Sequence, residues 1–114
     1  MNYTQLDPSD CEFSDIAAAD DIPNGERLFV EIDEAYLVVF NIAGDIYAIE
    51  DVCSHDDGPL GDGDLEGHEV ACPRHGARFD VRTGKALTLP AVEDISAYPV
   101  RIIDGIIQVG LPKE

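Results

Sequence analysis

Positive charge is what this sequence has least of. Lys and Arg number 7 against 24 Asp and Glu, a formal net charge of −17. A chain this acidic does not grip nucleic acid through its phosphates, nor does it settle on an anionic membrane surface. Long hydrophobic runs are missing too. The longest apolar stretch, YLVVFNIAG at 36–44, falls well short of the about 20 residues that a bilayer-crossing helix needs. The opening residues, MNYTQLDPSDCEF, have neither the basic nor the apolar region of a secretory signal, so a cytoplasmic protein is expected. There is no internal repeat, no low-complexity run and no long amphipathic helical pattern. Cysteine is scarce, 3 in 114 residues, and in a reducing compartment disulfide staples are not expected.

What is present reads as one all-β domain, the size a modest core can support. RLFVEI (27–32) alternates apolar and polar residues, and YLVVFN (36–41) and IYAIE (46–50) follow after short turns. Hairpin turn chemistry stands at Asn24-Gly25, Ala43-Gly44-Asp45, Thr83-Gly84 and Asp104-Gly105. The clearest case is VRIIDGIIQV (100–109), two β-branched runs around Asp-Gly. Residues 10–20, with SDIAAAD at their centre, read as a helical turn capped by Ser14 that stops before Pro23. Short strands at close spacing predict an antiparallel sandwich or barrel.

Between Cys53 and Phe79 the strand pattern breaks. This stretch holds all 3 histidines of the chain and two of its 3 cysteines. Gly58-Pro59, Gly61 and Gly63 interrupt any regular element, and a loop this long within a small domain is usually functional or disordered. HEVACP (68–73) then reads as a short strand entering a second loop. The soft ligands form two pairs, Cys53-x-His55 and Cys72-x-x-His75, one on each loop. Paired Cys and His at short spacing are a metal-site pattern. Three occupants compete with incidental placement. A structural Cys₂His₂ zinc site has the right ligand types, although Cys-x-His is tight for it and zinc has no need of so much glycine. A mononuclear iron site fits less well, because it calls for two His and a carboxylate. An iron–sulfur cluster with mixed ligation fits the set, with His₂ replacing Cys₂ on one of two irons.

The pattern resembles the Rieske motif, Cys-x-His followed by Cys-x-x-His. The likeness continues in PLGDGDLEG (59–67), CPRHGARFDVRTGKAL (72–87) and Pro90, and it covers 3–111 as a single domain, with cluster-binding loops at about 51–80. It implies a Rieske-like antiparallel β-sandwich or barrel holding one [2Fe–2S] cluster. Cys53 and Cys72 would take the buried iron, and His55 and His75 the outer one. Glycine backbone N–H groups can come close to the negative sulfides because no Cβ intervenes, and Pro73 stiffens the second loop. Neutral imidazoles in place of thiolates make the cluster easier to reduce than an all-Cys centre.

Departures within the motif narrow the type. The extra loop cysteines that pair in respiratory-complex members are replaced here by Gly58 and Arg74. Ala77 and Phe79 occupy the places of hydroxyl donors. Fewer donors to sulfur imply a low potential. The resemblance is therefore to soluble Rieske ferredoxins of ring-hydroxylating dioxygenase systems. These monomeric electron carriers are not enzymes, and they run between a flavoprotein reductase and a terminal oxygenase. Related alternatives are the small subunit of an assimilatory nitrite reductase and the ferredoxin of another iron-dependent pathway. From a different class, the structural zinc module stays open.

The acidity has three readings: plain solubility, steering toward basic partner faces, or life in a high-salt cytoplasm. Asp56 and Asp57, next to His55, are expected to rim a docking site. Arg74 and Arg78 either offset cluster charge, shape the docking face or are solvated. His68 is expected to be an exposed turn residue, and Cys11 a small packed one.

Overall fold

The structure, a computed structural model, describes residues 4–5, 9, 11–32, 35–51, 63–72, 77–88 and 94–112. In chain order its strands are β1 (Thr4–Gln5), β2 (Cys11–Ala18), β3 (Arg27–Ile32), β4 (Ala35–Ile42), β5 (Asp45–Glu50), β6 (Leu65–Glu66), β7 (Glu69–Ala71), β8 (Arg78–Asp80), β9 (Ser96–Tyr98), β10 (Val100–Ile103) and β11 (Ile106–Pro112). They form three sheets. The central one runs β1-β9-β5-β4-β3, and two three-stranded sheets run β10-β11-β2 and β6-β7-β8. Every pairing is antiparallel except β1 with β9, so the expected all-β antiparallel architecture is what the chain adopts. Among the described residues no helix is long and apolar enough to cross a membrane.

Strand β4 explains how the layers stack. Leu37, Val38, Val39 and Phe40 are all buried. Successive side chains of a strand point to opposite faces. Val38 and Phe40 accordingly join a core with Ile49, Val70, Cys72, Ala77, Phe79 and Val81. Leu37 and Val39 join another with Ile22, Ala48, Ile107 and Val109. The run YLVVFNIAG is thus the middle strand of a three-layer stack, apolar on both faces, and each full burial there contributes about 1.5–3 kcal/mol.

Two hairpins close as their sequences predict. Ile42 faces Asp45 and Ile103 faces Ile106 across two-residue turns. Both turn residues lie at positive φ in each case, Ala43 at 55° with Gly44 at 91°, and Asp104 at 52° with Gly105 at 78°. Two left-handed residues in a row match the twist of the flanking strands.

Two expectations fail. Residues 11–18 form a strand, not a helical turn, and only Ala19–Asp21 coil as a short 3₁₀ segment. Ser14 lies opposite Val109 in the ladder instead of capping a helix. The strand pairs with β11 from Ala18 to Cys11, with a bulge at Ile107/Gln108. This non-local ladder overrides the helical leaning of the Ala-rich stretch. Asn24-Gly25 joins no hairpin. The Gly25 N–H donates to the Asn41 carbonyl at 2.8 Å and Asn24 Oδ1 accepts from the Ala43 N–H at 2.7 Å. The turn therefore docks on the β4–β5 hairpin tip.

Candidate metal centre

Of the four expected ligands, Cys72 lies within the described residues; Cys53, His55 and His75 lie outside them. So do Asp56, Asp57, Gly58, Pro73, Arg74 and Pro90. Cys72 follows β7 directly. Its N–H donates to the Ala77 carbonyl at 2.6 Å, which closes the chain across residues 73–76, the part of the motif that carries His75. The Cys72 side chain is 2 % exposed among Val38, Phe40, Val70, Ala77 and Phe79. Ala77 and Phe79, at the positions where hydroxyl donors were absent from the sequence, are both fully buried. Cys72 thus stands on an apolar floor.

The first ligand segment is fixed at both of its described ends. The Asp51 N–H donates to the Tyr36 carbonyl at 2.9 Å, two residues before Cys53. At the other end, Arg27 Nη1 donates to the Gly63 carbonyl at 2.7 Å. The same guanidinium lies over the Phe40 ring, 5.2 Å from its centroid. Phe40 belongs to the core that contains Cys72. Gly63, the first described residue after the first ligand segment, therefore lies on the same side of the central sheet as Cys72.

A third segment flanks them. The Arg78 N–H donates to Thr88 Oγ1 at 2.9 Å, and the Ala86 N–H donates to Asp94 Oδ1 at 2.8 Å. These bonds hold the two ends of the stretch bearing Pro90. Gly84 pins its return. The residue has φ +79°, and a Cβ there would strike the Ile95 carbonyl oxygen. That closeness lets the Ile95 N–H reach the Gly84 carbonyl at 2.8 Å. Gly84 reads in the sequence only as a turn residue, and Arg27, Thr88 and Asp94 do not stand out, because each acts on a partner brought near by folding.

Arg78 is not simply solvated. It pairs with Glu66 at 2.6 Å and approaches Glu69 at 3.6 Å, and the hydrogen bond to Glu66 raises its pKa further. His68 does occupy the β6–β7 turn, but it is half-buried, edge-on to the Tyr47 ring at 5.7 Å. It also lies near Asp80. Burial pushes the Asp80 carboxyl up, yet hydrogen bonds and charge from Arg82, with a smaller pull from His68, hold it below the usual range. Cys11 is buried as expected, in β2 beside Gly110, outside the core that contains Cys72.

The donor set and its setting fit a two-iron cluster. A buried thiol outside any disulfide is available at Cys72, and the described residues at either end of the first ligand segment, Asp51 and Gly63, are each held by a hydrogen bond. Residues 12–99 match the Rieske [2Fe-2S] domain family. The chain belongs to that family. Its Rieske cofactor is a [2Fe–2S] cluster, which supplies a one-electron couple when bound, and this sets aside the zinc reading. The Rieske relatives point the same way. The chain is 44 % identical over 88 residues to the ferredoxin component of the naphthalene 1,2-dioxygenase/salicylate 5-hydroxylase systems of Ralstonia sp, covering 77 % of this chain and 85 % of that one. The ferredoxin of carbazole 1,9a-dioxygenase from Nocardioides aromaticivorans IC177 superposes with a TM-score of 0.82 at 32 % identity, covering 89 % of this chain and 98 % of that one. A complex of reduced oxygenase and oxidized ferredoxin in carbazole 1,9a-dioxygenase contains a chain that superposes with a TM-score of 0.82 at 30 % identity, covering 90 % of this chain and 95 % of the other. The first two of these relatives are named as ferredoxins.

Proposed function

We propose that this protein is the ferredoxin of a ring-hydroxylating dioxygenase system, taking single electrons from a flavoprotein reductase and delivering them to a terminal oxygenase. The observation that carries the reading is the 44 % identity to a dioxygenase ferredoxin over 77 % of the chain. The likeness to a ferredoxin solved with its oxygenase supports it. The chain has no means to be the oxygenase itself. With His55 and His75 given to the cluster, only His68 remains of 3 histidines, and it packs on Tyr47.

Within this reading Cys53 and Cys72 hold the inner iron and His55 and His75 the outer one, in a single domain over 3–111. The burial of Cys72 supports that order, because a thiolate in an apolar floor belongs on the side away from partners. The exposed imidazole iron is then the exit for the electron. The apolar Ala77 and Phe79 give sulfur no hydroxyl donors, so the midpoint lies near −150 mV, the low end of the Rieske range. A redox titration with a midpoint well above zero contradicts this.

The acidic chain works as a cytoplasmic monomer whose surface around the imidazole iron meets basic faces on reductase and oxygenase. Asp56 and Asp57 lie beside His55 in sequence. The exposed Tyr36, at 63 %, whose carbonyl accepts from the Asp51 N–H, adds apolar area near the start of the first ligand segment. Reconstitution tests the whole reading. Mixed with a dioxygenase reductase and terminal oxygenase, the protein restores NADH-driven product formation, and turnover falls steeply with ionic strength. Asp56→Asn with Asp57→Asn weakens it at low salt. No turnover with any such partner pair, from protein carrying its cluster, overturns the role.

A further inference from the structure

The central sheet comes apart at one point. Strand β9 meets β5 through Ala97 and Tyr98, opposite Ile49 and Ala48. The same register would next set Val100 opposite Ile46. Instead the chain turns away at Pro99, whose carbonyl accepts from the Gly110 N–H at 2.9 Å, and Val100 pairs with Val109 in the β10-β11-β2 sheet. Backbone groups alternate along an antiparallel ladder. Asn41, opposite Ile46, sends its N–H and C=O to Glu26 and Gly25, away from β5. The Ile46 N–H and C=O therefore point away from β4, into the split. By the parity that the Pro99–Gly110 bond sets, the Val100 N–H and C=O point away from β11. Among the described residues neither has a ladder partner on that side. A cleft of about 280 Å³ opens there, with the rings of Tyr47 and Tyr98 in its wall. Val81 and Arg82 close it from the turn after β8, where the Val81 N–H donates to the His68 carbonyl at 2.9 Å.

We propose that this cleft binds a small neutral aromatic molecule carrying a hydroxyl or carboxamide group. The site stands apart from the electron-carrier role and does not depend on it. Its apolar walls, Ile46, Val81 and Val100, and its two phenol rings favour an aromatic body. Ile46 and Val100 each offer one donor and one acceptor. A hydroxyl or a carboxamide answers both kinds at once, whereas a plain hydrocarbon displaces their water and leaves them unpaired. Charge is excluded in both signs. Arg82 is the cation in the wall, and its Nε and Nη2 already hold the two carboxylate oxygens of Asp80, each at 3.0 Å. An anion therefore gains little there and meets a chain of net charge −17, while a cation faces the guanidinium. The volume exceeds the about 150 Å³ of a cavity that takes benzene, so a ring with its substituent fits.

Amide NMR shifts of the full chain, purified in its oxidised form and titrated with phenol, benzamide or benzoate, test the site. Phenol and benzamide are expected to move the amides of Ile46, Ala48, Arg82 and Val100 along saturable curves. Benzoate is expected to bind about tenfold more weakly, the scale of one unmatched polar group. Tyr98→Leu removes one ring of the wall and should weaken phenol about tenfold, the upper range of an aromatic pair. Val100→Phe puts a ring into the cleft from a half-buried position and should abolish binding, which keeps the test open if the Tyr98 variant does not fold. Phe29→Ala removes an exposed aromatic from β3, far from the cleft in the sheet order, and should match wild type. No saturable shift up to the solubility of phenol and benzamide overturns the proposal. So do shifts spread evenly over exposed aromatics such as Phe29, or wild-type binding in both Tyr98→Leu and Val100→Phe. Benzoate binding as tightly as benzamide overturns the neutral ligand class.

Discussion

The two sides of the central sheet are built by different means. On one side β2, β10 and β11 form a sheet from an eight-residue strand and a long hairpin, and their ladders satisfy the backbone. On the other, β6, β7 and β8 have only two, three and three residues. Beside backbone bonds such as Leu87 N–H to the Arg78 carbonyl, their neighbouring segments are held by bonds between side chain and backbone: Arg27 Nη1 donates to the Gly63 carbonyl, while Thr88 Oγ1 and Asp94 Oδ1 accept from the Arg78 and Ala86 N–H groups. The first side is a scaffold that local pattern can specify. The second has short strands, and the described ends of the segments beside it are braced by such clamps.

The largest expected effect comes from Cys72. Cys72→Ala should abolish the visible absorbance and the reduced EPR signal of the cluster, while far-UV circular dichroism keeps its β signature from the scaffold side. An intact cluster in that variant removes Cys72 from the ligand set.

A pair of glycines then sharpens the contrast. Gly84 and Gly105 share a left-handed backbone, φ +79° and +78°. A Cβ at Gly105 meets nothing within 4 Å, whereas at Gly84 it strikes the Ile95 carbonyl oxygen. Gly105→Ala should cost about 1 kcal/mol, the penalty of a left-handed L-residue, and leave the EPR signal unchanged. Gly84→Ala adds an overpacking cost of about 1–3 kcal/mol to that penalty and should strip the cluster as well. Denaturant melts of both variants with iron analysis check this, and equal costs at the two sites would refute the clamp at Gly84.

The smallest effect is a titration on the scaffold side. Burial, with a smaller push from Glu50, raises the Tyr98 pKa to about 12 from 10.0. The folded state therefore holds this proton more tightly than the unfolded one. The stability so conferred is intact below pH 10 and is lost as pH climbs from 10 to 12. Phenolate absorbance should show one late tyrosine that vanishes in Tyr98→Phe. A wild-type titration with no late tyrosine contradicts it.

Legibility in the sequence followed the same division. Strands β3, β4 and β5 and the Asp104-Gly105 hairpin could be read directly, because alternation and turn residues are local signals. Strand β2 was missed because its partner β11 lies about ninety residues on, and SDIAAAD taken alone leans helical. The pairing of β1 with β9 was equally invisible. At the site, Cys-x-His and Cys-x-x-His spoke through spacing alone. Arg27 and Gly84 gave no sign, since an arginine opening a strand and a glycine in a turn are ordinary until Gly63 and Ile95 are brought beside them. His68 looked like a bare turn residue for the same reason, its contact being with Tyr47 on another sheet.

Metal and sulfide analysis of protein purified without oxygen from iron-replete cells, read beside the EPR of the reduced sample, tests the central claim most directly. The account predicts two irons and two inorganic sulfides per chain with a rhombic signal. One zinc, no sulfide and no signal would contradict it.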